Sequence, residues 1–192
     1  MTPSRENILA RVRGALGVEA HRPAAPTSAP IFPPVTNPEA RFREEFTGLK
    51  GELIDRAEKL REFLKPFTRI ATDGSALVRQ MIGEGNASAR DGDVGVTGCD
   101  CLIAQTGSVV VSTHSAGGRA MSVLPPTHLV IARRNQIVPD LAAAMTLLRQ
   151  RYDGRWPSTL SVITGPSRTA DIEKILVFGA HGPKRIALYL GD

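Results

Sequence analysis

Residues 101–111 read Cys-Leu-Ile-Ala-Gln-Thr-Gly-Ser-Val-Val-Val, two apolar runs separated by a short polar turn. Gly107 closes that turn, and glycine supplies the positive φ that tight hairpin connections need. The segment is therefore predicted to form an antiparallel hairpin. An antiparallel hairpin in a chain that otherwise alternates strands and helices predicts a mixed-sheet α/β fold.

On both sides of this hairpin, from Phe67 to the end of the chain, short apolar runs alternate with glycine-rich turns. This alternation is typical of an α/β core. The predicted strands are 69–71, 100–104, 108–113, 128–132, 159–163 and 185–190, and the predicted helices are 75–81 and 139–152.

The segment before Phe67 has a different pattern. Thr2-Pro3 followed by apolar residues at spacing four predicts a short N-terminal helix, and six prolines between residues 21 and 38 predict a semi-extended linker. Apolar residues from Phe42 to Leu64 recur at intervals of three and four, which predicts one long helix ended by Pro66. The predicted domains are a helical arm with its linker at 1–38 and an α/β domain at 39–192.

The 192 residues include 24 Lys and Arg against 19 Asp and Glu, a net charge of +5. This excess is spread along the chain, which argues against nucleic acid as a partner. A small anionic substrate and an acidic partner would suit the charge equally well. No stretch is apolar enough to cross a membrane, and the N-terminus lacks the features of a secretion signal. A cytoplasmic location is therefore expected.

The two cysteines, Cys99 and Cys101, are too close in sequence for a comfortable mutual disulfide. Two thiolates cannot ligate an iron–sulfur cluster or a structural zinc, which need four. Both cysteines are expected to be core residues, and redox sensing is the alternative. The aspartates at 91, 93 and 100 and His114 lack the spacing of a known metal-binding loop, so no metal site is predicted.

Residues 163–173 run from a predicted strand through a Gly-Pro turn into a predicted helix start. Free backbone N–H groups at such a start, together with nearby hydroxyls and a guanidinium, can hold a phosphate or carboxylate. An ordinary capped helix, whose dipole Asp171 would complement, is the alternative. The residues available to an anion are Gly165, Ser167, Arg168 and Thr169.

Two side chains in glycine-flanked loops are further candidates. His181 can act as an acid, a base or a hydrogen-bond donor, and Arg119 can place its guanidinium on a carboxylate or phosphate. A solvated histidine and a surface cation are the alternatives. His128, at the start of a predicted strand, is expected to be a packed or capping residue.

Several motifs together resemble the lactate-utilisation protein C family, which carries the LUD domain. In chain order they are Gly95–Asp100, Ala104–Val109, Leu124–His128, Gln136–Val138, Gly165–Glu173 and Gly179–Pro183. The resemblance implies a domain similar to the sugar-phosphate isomerase and CoA-transferase (NagB/RpiA) fold. It also implies a link to the oxidation of L-lactate to pyruvate, beside two iron–sulfur proteins.

Gln105 departs from the family pattern, which usually has glutamate at this position. A glutamine can hydrogen-bond a substrate, but it cannot form an acyl anhydride and is not a base at neutral pH. CoA-transferase-like covalent catalysis is therefore not expected of this chain.

The first hypothesis is a subunit or accessory protein of a cytoplasmic L-lactate utilisation system. It would bind a small anion between the hairpin, the Gly165 turn and the His181 loop, and it would carry no cofactor itself. The candidate catalytic residues are His181, Gln105 and Asp171, and the candidate ligand-binding residues are Thr106, Gly107, Arg119, Gly165, Ser167, Arg168 and Thr169.

Two alternatives stay open. The first is a stand-alone isomerase- or ligase-like enzyme that acts on a phosphorylated or CoA-bound metabolite, with His181 or Asp171 as its base. The second is a non-catalytic scaffold whose N-terminal arm and proline-rich linker dock a partner protein.

Overall fold

The computed structural model of the chain describes residues 3–17, 32–114, 118–172, 175–178 and 181–192. The side chains of residues 169–172 and 175–178 fall outside this description. Contacts divide the chain after Pro33 into two units. The first unit contains α1 (Pro3–Leu16), which confirms the predicted N-terminal helix.

The second unit contains four α-helices and eleven strands among its described residues. The helices are α2 (Pro38–Gly48), α3 (Ala57–Leu64), α4 (Ala76–Ile82) and α5 (Leu141–Tyr152). The strands are β1 (Glu52–Ile54), β2 (Ile70–Thr72), β3 (Val94–Thr97), β4 (Cys101–Ile103), β5 (Ser108–Ser112), β6 (Thr127–Arg133), β7 (Ile137–Val138), β8 (Leu160–Ile163), β9 (Arg168–Ile172), β10 (Ile175–Phe178) and β11 (Arg185–Gly191).

The larger sheet has five strands in the order β1-β11-β6-β3-β2, and every neighbouring pair is parallel. Its centre is the long pairing of β11 with β6, in which Arg185 lies opposite Thr127 and Gly191 opposite Arg133. Parallel strands are usually covered on both faces, and the burial of every residue of β3 fits that rule.

The smaller sheet has four strands in the order β7-β4-β5-β8. Its β4–β5 pair is antiparallel, with Cys101 opposite Val110, and Gly107 in the connecting turn has a φ of 61°. The predicted hairpin is thus confirmed. Because β4 also pairs in parallel with β7, this sheet is mixed, and the predicted mixed α/β fold class is confirmed.

The core lies in layers on both faces of the larger sheet. One face packs against α3 and α4, through Leu60 and Val78. The other face packs against α2, through Phe42 and Phe46, and against the smaller sheet. The far face of the smaller sheet is covered by α5. The strands β4 and β5 of the smaller sheet are therefore buried on both faces.

The single long helix predicted up to Pro66 is wrong. The structure divides that segment into α2, β1 and α3. The chain leaves α2 at Gly48, Lys50 takes a φ of 69°, and a side chain at Gly51 would collide with the ring of Phe46. The apolar spacing continues through the break, but β1 gains backbone pairing with β11, which a continuous helix would lose.

The helix predicted to begin after Pro166 is also wrong. Residues 168–172 form β9, which pairs antiparallel with β10. Gly165, with a φ of 86°, turns the chain directly from β8 into this hairpin. The β-branched and aromatic residues of the two strands favour this structure over a helix. Within residues 163–172 no helix N-terminus is therefore available to bind an anion.

No helix within the described ranges is both long enough and apolar enough to cross a membrane.

Candidate ligand-binding site

A small hollow opens at the end of β5. Its walls come from that strand end, from the 3₁₀ turn Arg119–Ser122 and from the start of β8. We call it the Arg119 hollow. The lining residues are Val111, Ser112, Thr113, Gly118, Arg119, Ser122, Thr159 and Ser161. One guanidinium and five hydroxyl groups are thus set around a single small space.

The position of Arg119 is set by the turn that carries it. Gly118 has a φ of 105°, which favours glycine, and Ser122 Oγ donates to the carbonyl of Arg119 at 3.2 Å. Met121 anchors the turn in the core, and its carbonyl lies so close to Gly95 that no side chain fits there. Arg119 itself is exposed and has no ion pair with any described residue.

A chain of hydrogen bonds lies behind the wall of the hollow. The carboxylate of Asp100 is buried and accepts from the hydroxyl of Tyr152 at 2.5 Å and from Nη1 of Arg151 at 3.1 Å. The Tyr152 hydroxyl is also 2.8 Å from Oγ of Ser112, which lines the hollow. A buried carboxylate is thereby connected to the lining of the hollow.

Burial raises the pKa of Tyr152, and its hydrogen bond to Asp100 raises that pKa further. The phenol therefore keeps its proton at neutral pH and acts as a donor to Asp100. The Tyr152 ring is held edge-on to His114, at a centroid distance of 5.5 Å, and tilted against Trp156 at 6.3 Å.

The structure brings together several of the predicted residues around the hairpin turn. Thr106 Oγ1 lies 2.7 Å from Ser108 Oγ, which in turn lies 2.8 Å from Thr164 Oγ1. These contacts place the hairpin turn beside Gly165. A side chain at Gly107 would meet the backbone of α2, so this glycine serves close packing.

The Gly165 turn also meets the loop that carries His181. The backbone N–H of Ser167 donates to the carbonyl of Pro183 at 2.9 Å, and Gly182 packs against the Ser167 side chain. The Arg168 guanidinium folds back beside Gly165. The predicted cleft thus has neighbouring walls, and a ligand-binding role for it stays a prediction.

Arg119 does not belong to that cleft. It borders the end of β5 at Ser112, whereas the hairpin turn and Thr164 meet the other end at Ser108. These two residues of one strand are about 13 Å apart at the usual rise of a strand. Arg119 and Ser167 therefore do not clamp the same small anion.

The structure gives no side-chain contacts for three of the predicted site residues, Gln105, Thr169 and Asp171. Gln105 is half-buried, and its backbone N–H donates to the carbonyl of Pro139 at 3.0 Å. The backbones of Thr169 and Asp171 lie in β9, and their side chains lie outside the described part of the chain. Their roles stay predictions.

The two cysteines are core residues, as expected. Cys101 is fully buried and Cys99 nearly so, and both are free thiols. Burial raises the pKa of Cys101 to about 11, and it raises the pKa of Cys99 strongly as well. Within the described ranges no group of three or more His, Cys, Asp or Glu side chains is arranged to hold a metal ion.

The sequence analysis missed the network of Asp100, Tyr152 and Ser112. Tyr152 is separated from the other two by 52 and 40 residues, so no local spacing connects them. The only signal was indirect: a polar Asp100 between two cysteines, within a segment that is otherwise apolar and buried.

The fold has counterparts among known proteins. A sequence profile of the LUD domain matches residues 50–190, and the chain belongs to the LUD domain family. This confirms the resemblance seen in the sequence motifs.

Among curated relatives, the chain is similar to proteins named lactate utilization protein C. The one from Bacillus licheniformis is 39% identical over 149 residues, which cover 77% of this chain and 57% of that protein. The one from Geobacillus kaustophilus is 37% identical over 114 residues, which cover 58% of this chain and 46% of that protein. The matched part thus spans about half the length of these relatives.

A solved structure shares the fold. It is a crystal structure of a DUF162 family protein from Deinococcus radiodurans, which matches with a TM-score of 0.60 at 19% identity. The match covers 81% of this chain and 96% of that one.

Proposed function

We propose that this chain acts in lactate utilisation in the cytoplasm, as a subunit or accessory protein that binds a small carboxylate in the Arg119 hollow. The names of its relatives support the process. The hollow supports the binding role, because a guanidinium is the side chain best suited to a planar carboxylate.

The observation that carries the proposal is the lining of the hollow, one guanidinium among five hydroxyl groups. Its single cation and its hydroxyls match a compact acid with one carboxylate and one further polar group. Lactate and pyruvate are such acids.

Oxidation of lactate to pyruvate requires an electron acceptor. The chain has two cysteines, both buried, and cannot supply the four thiolates of an iron–sulfur cluster. We propose that the electron acceptor lies on partner proteins, which the family resemblance implies are iron–sulfur proteins, and that this chain handles the acid.

Calorimetric titration of the purified chain with L-lactate and with pyruvate tests the binding role. We expect saturable binding that Arg119→Gln weakens at least about tenfold, because a charge-assisted pair is lost. Arg149→Gln is the matched control: Arg149 is exposed on α5 and lies outside the hollow. Absence of binding to either acid, or equal affinities in the two variants, would overturn the proposal.

Affinity purification of the tagged chain from lactate-grown cells tests the partnership. We expect iron-containing proteins and lactate-dependent dye reduction in the purified material. A chain that emerges alone, without iron and inactive toward lactate, would contradict the subunit role and leave the stand-alone enzyme as the better hypothesis.

A further inference from the structure

Strand β8 is an edge of the smaller sheet, with β5 as its neighbour on one side. The N–H of Thr113 donates to the carbonyl of Thr159 at 3.2 Å, so these two residues form a hydrogen-bonded pair at the end of the β5–β8 ladder. Such pairs alternate along antiparallel strands, and Ser161 and Ile163 therefore also bond to β5. The two residues that alternate with them direct their backbone N–H and C=O groups away from β5.

These outward-facing residues are Leu160 and Val162. Among the described residues, no backbone or side-chain group pairs with their N–H or C=O groups. The edge is also open to solvent, since the Val162 side chain is 47% exposed, whereas every residue of the neighbouring β5 is buried. A row of unpaired backbone groups is a template for the addition of another strand.

The other edges of the five-stranded and four-stranded sheets are protected. Beyond β2, the N–H of Asn86 donates to the carbonyl of Ile70 at 2.9 Å, and its Oδ1 accepts from the Ile70 N–H at 2.7 Å. β7 has two residues and is followed by Pro139, and β1 has three residues and begins with the charged Glu52. A covering segment, short length, proline and charge are the usual ways to block an edge. β8 has four residues, none of them charged or proline, and no described segment covers it.

The sequence around β8 carries no charge. Residues 156–167 include no Lys, Arg, Asp or Glu, although the whole chain has a net charge of +5. Like charges that face each other across paired strands are destabilising. Two copies of this positively charged chain can therefore meet at β8 without such a repulsion.

The outward groups of β8 are arranged symmetrically about Ser161. When a second β8 pairs antiparallel with the first around Ser161, Leu160 of each copy lies opposite Val162 of the other. Each of these pairs exchanges two N–H···O=C bonds, so all the outward groups of both residues are satisfied in both copies. The side chains match as well: Leu160 meets Val162 on one face of the sheet, and the two serine hydroxyls meet on the other.

We propose that β8 is a homodimer interface, at which two copies of this chain join their four-stranded sheets into one sheet of eight strands about a two-fold axis at Ser161. The proposal does not depend on what the Arg119 hollow binds. The edge contains fewer residues than the roughly 20–30 a side of a standard interface, so we expect a reversible dimer with a Kd on the order of 10 μM.

Sedimentation velocity of the purified chain from about 1 μM to about 300 μM, on both sides of that Kd, tests the association. We expect monomer at the low end and dimer at the high end. Val162→Lys should weaken the dimer at least about tenfold, because it brings two like charges together on one face of the paired edge. Leu141→Lys is the matched control: Leu141 is exposed to a similar extent and begins α5 shortly after β7, the opposite edge of the sheet.

Amide hydrogen exchange identifies the edge without any variant. In dilute solution the amides of Leu160 and Val162 should exchange quickly, whereas those of Ser161 and Ile163, which bond to β5, should be protected. A higher protein concentration should add protection at Leu160 and Val162 and leave the other two amides unchanged. This pattern decides the question even where Val162→Lys fails to fold.

Four outcomes would overturn the proposal. The first is a chain that stays monomeric at the highest concentration, and the second is a dimer that Val162→Lys and Leu141→Lys weaken equally. Protection of the Leu160 and Val162 amides at every concentration is the third, since another segment of the same chain would then cover the edge. Protection that appears only when a different protein is added is the fourth, and it would assign the edge to that partner.

Discussion

Thr97 Oγ1 lies 2.9 Å from Nε2 of His128, and both side chains are completely buried where β3 pairs with β6 in the larger sheet. The other ring nitrogen, Nδ1, has no hydrogen-bond partner among the described residues. Burial lowers the pKa of His128 to about 4. The imidazole is therefore neutral at neutral pH and is a packed residue, as expected from the sequence.

This burial predicts a pH dependence of stability. The pKa of His128 is lower in the folded state than its unfolded value of about 6.5, so the unfolded chain binds the proton more readily. The neutral imidazole of His128 contributes fully to the free energy of unfolding above pH about 6.5. This contribution is lost as the pH falls toward about 4, by at most about 1.4 kcal/mol per pH unit.

Urea denaturation between pH about 6.5 and about 5 measures this effect, in a window above the titration of most carboxylates. His128→Gln should flatten the slope of unfolding free energy against pH. An identical slope in wild type and His128→Gln would show that this buried imidazole does not set the acid sensitivity.

Gly107 is predicted to be indispensable to the hairpin. Its φ is 61°, and an added Cβ would lie 2.7 Å from the carbonyl carbon of Glu45, in the backbone of α2. Gly107→Ala should lower the free energy of unfolding by about 3 kcal/mol, from backbone strain and overpacking together. Gly154→Ala, with a similar φ of 74° and open space around it, should cost about 1 kcal/mol. Chemical denaturation compares the two, and equal losses would disprove the steric contribution.

Lys50 is predicted to be a suboptimal residue at the break between α2 and β1. Its φ of 69° is one that glycine adopts more easily, and its backbone N–H donates to the carbonyl of Thr47. Lys50→Gly should raise the free energy of unfolding by about 1 kcal/mol. Lys65→Gly, at an ordinary φ of −49°, should lower it by up to about 1 kcal/mol. A stability loss in both variants would contradict the prediction.

The cysteines are predicted to be inert in the native protein. Reaction with a thiol reagent needs the thiolate, and burial raises the pKa of both thiols, that of Cys101 to about 11. At mildly alkaline pH the folded chain should react at least about 100-fold more slowly than the same chain in denaturant, where both thiols should titrate. Rapid labelling of the native chain would show that this part of the core opens readily.

The sequence by itself determined those features that depend on neighbouring residues. The Gln105-Thr106-Gly107 turn predicted the hairpin because a positive φ at Gly107 is a local requirement. The periodic apolar residues of α5 predicted that helix, and Asp140 caps it through the N–H of Ala143 at 2.8 Å.

Only the tertiary structure decided whether β1 replaced a helix and where a ligand can bind. Leu49 and Leu53 keep helical spacing through the break, and the strand forms because β11 offers it a parallel partner far along the chain. Asp100, Ser112 and Tyr152 meet because the smaller sheet packs against the end of α5. The spacing of neighbouring residues does not predict such long-range contacts, since they arise from the burial of whole sheets and helices against one another.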